Sequence, residues 1–220
     1  MNGQKNKSIN RRNSKTHAAA ITIILAAVLI AIVVITSGSG KSNVDINKAP
    51  SRGLSFDKTS ITSKTYTLSG IGACKDTDIV VQAEKDGMPV AVVGEMAFRG
   101  NENITSIVLP SELKVIGSSA FAYCSKLETV IFKGNVTSIG NSAFRYCTEL
   151  EEITIPSSVS IIAESAFSHC TSLTKIHFSG TMAEWEKIHF GAQWNVYMPE
   201  YTVYCTDGEI FVDLYSKYRG

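Results

Sequence analysis

Two glutamates at equivalent positions of a repeating sequence come nearest to a catalytic pair. Glu128 and Glu151 lie one repeat apart, and if adjacent strands carry them, their side chains are about 5 Å apart, the strand spacing. Retaining glycosidases hold their two carboxylates about 5–5.5 Å apart. Such enzymes need one carboxyl group in a water-poor cleft, which a repeat surface does not offer. We therefore expect no enzymatic activity, with a glycan-acting enzyme as the remote alternative.

Three cysteines and a histidine form the second candidate for chemistry. Cys124, Cys147 and Cys170 share one position of the repeat, and His169 precedes the last of them. A structural zinc site needs ligands arranged as a tetrahedron around the ion, whereas equivalent positions of a repeat form a line. Three equivalent cysteines cannot all pair as disulfides, which require Cβ atoms about 3.8 Å apart and facing each other. We predict buried, free thiols, with no metal and no cofactor.

The same 23-residue interval runs through many apolar positions. Ala-Phe pairs recur at 97–98, 120–121, 143–144 and 166–167, and columns of Leu, Ile and Val keep the same register. Apolar columns in register over four periods indicate a stacked solenoid, in which each coil buries its apolar side against its neighbours. Because a solenoid offers an extended surface rather than a pocket, its function should lie in its outward-facing columns.

Each repeat divides into three pieces. Residues 127–132 alternate between inward and outward positions and are rich in β-branched and aromatic side chains, which predicts a short strand. Residues 136–140 form a second extended piece, and residues 142–147 fit one helical or 3₁₀ turn. Successive strands are expected to pair in parallel.

The two ends of the array depart from the pattern. Trp185 falls on the grid position of Ile162 and is predicted to lie in the core of a C-terminal cap. The segment 201–214, which is divided by a Thr-Asp-Gly turn, is predicted to form a hairpin that covers the last edge. The segment 54–90 should cover the other end.

The N-terminus has a different composition from the rest. Residues 1–17 contain five basic and no acidic residues, and residues 18–36 are apolar except for two threonines. Nineteen helical residues span about 28 Å, enough for a hydrocarbon core of about 30 Å. We predict a transmembrane helix over 18–36 with the basic tail in the cytoplasm and the repeats outside the cell. The alternative is a signal peptide cleaved near Ser39, which would make the protein secreted.

The formal charge of +1 conceals an asymmetry. All 20 acidic residues and 16 of the 21 basic residues lie beyond residue 36, so this region carries a charge of −4. Proteins that bind nucleic acid without sequence preference need a basic face to replace the counterions of the phosphates. The charge therefore excludes a nucleic-acid partner of this kind.

The repeat resembles a known family. The segment from Ile139 to Ile162 contains the string I-G-x-S-A-F-x-x-C-x-x-L-x-x-I-x-I-P-x-x-V, and the segment from Ile116 to Val136 nearly repeats it, with Lys133 in place of the proline. This string is similar to the BspA-like leucine-rich repeat of bacterial surface proteins. The resemblance covers about residues 64–210. It implies a right-handed leucine-rich solenoid, surface display and binding of proteins or other macromolecules, including adhesion, and no catalytic residue.

Two faces of the predicted solenoid are candidates for the ligand. The strand face carries the outward positions of the first strands, which are Ser106, Val108, Thr129, Ile131, Glu152, Thr154, Lys175 and His177. The face of the predicted helical turns carries an aromatic column of Tyr123, Tyr146 and His169. We rank the strand face first on architecture, although tyrosine is the commoner hot-spot residue.

Together these patterns predict the organisation of the chain. The predicted order is a basic cytoplasmic tail (1–17), a transmembrane helix (18–36), a flexible linker (37–53), a β-rich N-terminal cap (54–92), leucine-rich repeats (93–180), and a degenerate terminal repeat with a hairpin cap (181–220). The predicted function is binding of a protein or glycan at the cell surface. The alternative is a passive spacer or an assembly subunit of a surface complex without its own ligand.

Overall fold

A computed structural model describes residues 44–60, 62 and 64–213 of the protein. The predicted cytoplasmic tail, the predicted transmembrane helix over 18–36 and the first part of the predicted linker lie outside these residues. Within the described ranges, no helix combines the length and the apolar character needed to span a bilayer.

The regular elements of the described chain are short strands and one helical turn, and most of the strands belong to a repeating coil. The elements are β1 Ser55–Lys58, β2 Tyr66–Gly70, β3 Asp78–Val80, β4 Glu84–Lys85, β5 Met88–Val93, β6 Ser106–Leu109, β7 Val115–Ile116, β8 Thr129–Phe132, β9 Ser138–Ile139, β10 Glu152–Ile155, β11 Ile161–Ile162, β12 Lys175–Phe178, α1 Met182–Trp185, β13 His189–Phe190, β14 Tyr201–Cys205 and β15 Gly208–Val212.

The coils stack in parallel with the period that the sequence predicts. Ser106 pairs with Thr129, and Val115 pairs with Ser138, in each case one period further along the chain. The first strands of the coils form two sheets, in the orders β3-β6-β8 and β10-β12-β14-β15, and the second strands continue one sheet in the order β1-β2-β5-β7-β9-β11-β13. The prediction of a parallel solenoid with a 23-residue period is therefore confirmed.

The third side of each coil is a run of tight turns rather than the single helical or 3₁₀ turn that was predicted. Around Phe144, Ser142 and Tyr146 have φ values of 53° and 61°, outside the right-handed helical region. Along this side the N–H groups alternate between two kinds of acceptor: those of Ser142, Phe144 and Tyr146 bond to carbonyls of the next coil, and those of Ala143, Arg145 and Cys147 bond three residues back. The prediction is wrong in this detail because hydrogen bonds between coils replace those within a helix.

Phenylalanine rings form the centre of the core. Phe98, Phe121, Phe144 and Phe167 are buried, and each ring stacks on the next with centroids 5.2 Å apart and planes within 8° of parallel. Each coil therefore completes the packing of its neighbours. At the C-terminal end, Trp194 meets Phe167 edge to face at 6.3 Å and ends the ladder.

The cysteine column is buried beside this ladder. The Cys124, Cys147 and Cys170 thiols each donate a hydrogen bond to the carbonyl oxygen of a core phenylalanine in the preceding coil, at 3.0, 3.3 and 3.0 Å. All five cysteines of the protein are free thiols. Burial raises the pKa of Cys124 and of Cys170 to about 12, so these side chains stay neutral and act as small core residues.

The last coil contains five additional residues, so the residues after them no longer follow the 23-residue period. The strand partner of Ile162 in this coil is Phe190, whereas a constant period would place Trp185 there. The prediction that Trp185 takes the position after Ile162 is therefore wrong in register. Trp185 lies on α1, where it is 5 % exposed and packs edge to face against Phe178. Its predicted place in the core of the C-terminal end is confirmed.

The C-terminal end of the solenoid is covered by chain that does not repeat. β14 and β15 form an antiparallel hairpin on β12, with Val203 and Ile210 buried beneath it. At the other end, β3 already pairs in parallel with β6, and β5 with β7. The stacking thus begins inside the segment predicted as an N-terminal cap.

The phenylalanine ladder makes a clear prediction for stability. Phe144→Ala should lower the free energy of unfolding by about 3–5 kcal/mol, because it removes a ring from between two others and leaves a cavity. Denaturant unfolding followed by circular dichroism should show a single transition that moves as a whole, since each coil depends on its neighbours. The control is Tyr204→Ala, at a side chain that is 38 % exposed, where we expect a loss of about 1 kcal/mol or less. An equally small loss for Phe144→Ala would contradict the proposed core.

The buried thiols make a second prediction. At mildly alkaline pH, Cys124, Cys147 and Cys170 should not react with a thiol reagent in the folded protein, because only the thiolate reacts and burial raises their pKa. Cys205 is only partly buried and serves as the internal comparison. Mass analysis of labelled peptides should show all five cysteines modified after unfolding. Labelling of Cys147 in the native protein as fast as Cys205 would show that the column is accessible.

Candidate functional site

The N-terminal half of the predicted strand face is covered. Ser106 and Val108 are each only 1 % exposed, while Thr129 and Ile131 on the next strand are half-buried. The prediction that Val108 lies on an exposed strand face is therefore wrong. The sequence pattern places it on the outward side of its strand, and the pattern carries no information about chain segments that cross this side.

The segment that crosses this face belongs to the predicted linker. Ser51 exchanges two hydrogen bonds with Val80 at the free edge of β3, of 2.8 and 3.1 Å. The carbonyl of Ile46 accepts a hydrogen bond of 2.6 Å from Lys133, the residue after β8. Because these contacts lie on opposite sides of β6, residues 46–51 pass over β6. We call residues 46–51 the strap. These hydrogen bonds hold the strap against the solenoid, which differs from the flexible linker predicted for 37–53.

The C-terminal half of the strand face remains open and is mainly polar. Glu152 lies 4.0 Å from the ammonium of Lys175 and 3.7 Å from the imidazole of His177. Thr154 and Lys175 are exposed, and the ring of Tyr204 stacks on His177 at 5.2 Å. Tyr204 was not among the predicted residues, because the hairpin brings it opposite His177 at a position outside the 23-residue period.

The structure gives no support to the carboxylate pair. Glu151 is exposed and Glu128 is half-buried on the rim of the strand face. Carboxylates at a wet surface lack the dry cleft in which a general acid operates. The part of the chain that the structure describes also contains no group of three or more His, Cys, Asp or Glu side chains placed to hold a metal ion.

The opposite candidate face carries a longer column of rings than the sequence predicts. Tyr123 stacks on Tyr146 at 4.8 Å, Tyr146 on His169 at 4.1 Å, and His169 packs against Tyr197 at 4.4 Å. We call these four residues the aromatic column. Tyr197 was missed because the five additional residues of the last coil move it off the 23-residue grid. Tyr123 and Tyr197 expose 42 % and 65 % of their surface.

Every ring of the aromatic column is attached to a left-handed backbone. The φ values are 63°, 61°, 63° and 61° along the column. A bulky residue at such an angle is unusual, and the conformation costs about 1–2 kcal/mol relative to a right-handed one. Glycine or asparagine would fit with less strain. The aromatic side chains at these positions therefore do not stabilise the backbone conformation.

Two arginines and a serine surround the rings. The guanidinium carbons of Arg99 and Arg145 lie 5.6 and 5.2 Å from the ring centroids of Tyr123 and Tyr146, distances at which a cation is attracted to a ring. The Nε of Arg145 is buried without a hydrogen-bond partner among the described residues. Ser168 bonds to Nδ1 of His169 at 2.8 Å. Burial, and then the charge of Arg145, lower the pKa of His169, so its imidazole is neutral near pH 7.

The aromatic column has the chemistry of a contact surface. Its tyrosines are amphipathic, its histidine is neutral, and two arginines lie beside its rings. Rings of this kind supply contact area at a small cost in side-chain entropy, and Tyr and Arg are enriched among residues that dominate binding energy.

Comparison with known proteins agrees with this geometry. A model of the BspA-type leucine-rich repeat region matches residues 88–196 in six copies. A leucine-rich repeat protein from Bacteroides capillosus is 30 % identical, with a TM-score of 0.50, over 58 % of this chain and 95 % of its own. No curated protein matches the chain.

Two further solved structures share the fold. A leucine-rich cell surface protein from Faecalibacterium prausnitzii is 25 % identical, with a TM-score of 0.52, over 70 % of this chain and 44 % of its own. The pneumococcal vaccine antigen PcpA is 19 % identical, with a TM-score of 0.50, over 70 % of this chain and 49 % of its own. With its six repeat copies and its 23-residue coils, the chain belongs to the BspA-type leucine-rich repeat family.

Proposed function

We propose that the protein is a non-enzymatic binding module, displayed outside the cell, which contacts a protein or glycan partner through its aromatic column. The observation that carries this proposal is the exposed stack of four rings on strained left-handed backbone. Strained backbone persists where the surrounding structure imposes it, and such positions cluster at functional sites.

The distribution of exposed apolar side chains supports this face over the strand face. Met96, Tyr123 and Tyr197, all on the turn side of the coils, are three of the five exposed large apolar residues in the described part. On the strand face, Ser106 and Val108 are buried in the half that the strap crosses. We therefore reverse the order that the sequence suggests and place the aromatic column first.

Surface display is supported by the family, whose members include a leucine-rich cell surface protein. We propose that residues 18–36 anchor the chain in the membrane with the repeats outside, on the basis of their apolar composition and the basic residues before them.

The topology can be tested on intact cells. Protease added outside should digest the region that follows residue 60, and the membrane fraction should retain the N-terminal segment. Complete protection of residues 60–220 would contradict an external location. N-terminal sequencing of the mature protein separates the alternatives, because a start near residue 40 means that the protein is secreted.

The contact surface can be tested with three variants of the full chain. Tyr123→Asn with Tyr146→Asn removes two rings but keeps a residue that tolerates the left-handed conformation. Binding to partners captured from cell-surface and matrix extracts should weaken roughly thirtyfold or more, the loss of about 2 kcal/mol typical of a hot spot. Ile131→Asp on the strand face and Tyr204→Ala on the hairpin are the controls, and both should bind normally.

Each outcome of this experiment assigns a role. If only Ile131→Asp weakens capture, the strand face binds the partner. If none of the variants changes any captured partner, the protein is a passive spacer or assembly subunit.

A further inference from the structure

The aromatic column ends at Tyr123 because the next position is a glycine. The N–H of Gly100 donates to the carbonyl of Ala122 at 2.8 Å, and one coil later the N–H of Tyr123 donates to Arg145 at 2.7 Å in the same way. Gly100 has a φ of 72°, close to the 63° of Tyr123. Gly100 is therefore the structural equivalent of the tyrosines, without a ring.

The missing ring leaves open space at this position. A Cβ atom built on Gly100 would meet no atom within 4 Å. The spacing of the column shows how much room one step provides, because the neighbouring rings of Tyr123 and Tyr146 are 4.8 Å apart. The position beside Tyr123 can thus accept one flat ring from outside the protein when the Arg99 side chain, whose guanidinium carbon lies over the Tyr123 ring at 5.6 Å, moves to the edge of that ring. We call this position the ring slot.

Polar residues flank Gly100 along the chain. A depression at this end of the turn side is lined by Ile71 and by residues 97–103, which include the amides of Asn101 and Asn103 and the carboxylate of Glu102. Asn101 is held in place, since its Oδ1 accepts hydrogen bonds from the N–H groups of Asn103 and Ile104. Arg99 is exposed, lies 5.6 Å from the ring of Tyr123 and forms no ion pair within the described part of the chain.

We propose that the ring slot binds one pyranose ring of a glycan. The C–H groups on one side of a sugar carry partial positive charge, and the face of Tyr123 carries partial negative charge. The hydroxyl groups at the edge of the same sugar can bond to Arg99, Asn101 and Glu102, which supply both donors and acceptors. Sites of this kind combine an aromatic wall with a few polar groups that fix orientation.

The polar surroundings decide between a sugar and an aromatic side chain of a protein. An aromatic ring would match the face of Tyr123, but its edge would form no hydrogen bonds with the neighbouring arginine, amides and carboxylate. A sugar matches both. The inference rests on the proposed function, since it names the ligand class at one end of the aromatic column.

The repeat itself supplies a specific variant for the test. Gly100→Tyr places in the slot the residue that three other coils carry at this position with nearly the same φ, so the protein should fold. The ring fills the slot and extends the stack. Gly87→Tyr is the matched control, because Gly87 also has a φ of 72° and open space around it, but lies in the turn between β4 and β5.

The experiment is saturation-transfer NMR on the full chain in a detergent without a sugar headgroup. The probes are oligomers of glucose, of N-acetylglucosamine and of glucuronic acid, and the blocked amino acid N-acetyltyrosine amide. We expect signal from the C–H protons of at least one oligosaccharide with the wild-type protein and the Gly87→Tyr variant. Gly100→Tyr should abolish this signal, and Tyr123→Asn should weaken binding roughly fivefold to tenfold, the contribution of one aromatic contact.

Three results would overturn the inference: no signal from any oligosaccharide, an unchanged signal with Gly100→Tyr, or a Gly100→Tyr-sensitive signal from the tyrosine probe alone. These are distinguishable from failure of the proposed function. Loss of captured partners on removing Tyr123 and Tyr146, without any sugar signal, would leave the aromatic column as a binding surface and reject only the glycan.

Discussion

Hydrogen bonds between successive coils are the interaction on which the rest of this structure depends. They run along the solenoid on all three sides, from the two strand positions and from every second residue of the turns. Because they fix the distance between equivalent backbone atoms, they also fix the distance between equivalent side chains. The 5.2 Å steps of the buried phenylalanines and the 4.8 Å step between Tyr123 and Tyr146 follow from this one constraint. The buried phenylalanines and the exposed tyrosines therefore follow the same repeat distance between coils.

The same constraint explains what the sequence could predict. A 23-residue period with apolar columns in register determines the parallel pairing, the buried rings and the aligned cysteines, since each requires only that coils repeat. The left-handed residues at Ser142 and Tyr146 were not predictable in this way. They arise from the alternation of acceptors along the turns, and a serine or tyrosine in a turn gives no sign of it.

The remaining differences come from residues that do not repeat. The strap is held by contacts across many positions of the chain, such as Ile46 with Lys133, and a periodic pattern carries no information about these. The five additional residues near α1 displaced Trp185 and hid Tyr197, because the grid assumes a constant coil length. Only part of the candidate site was therefore predicted from the sequence. Two tyrosines and a histidine were identified, whereas Tyr197 and the ring slot at Gly100 were recognised from the structure.

The left-handed position of the aromatic column has a consequence for how such a protein can change by mutation. Five successive coils place Gly100, Tyr123, Tyr146, His169 and Tyr197 there, with φ values between 61° and 72°. Three residue types therefore serve one backbone, because neighbouring coils impose its conformation and the side chain points away from the core. At the buried position, four successive coils carry the same phenylalanine. Substitutions at the outer position alter recognition and leave the framework intact, so a lineage can explore new partners without first acquiring spare stability.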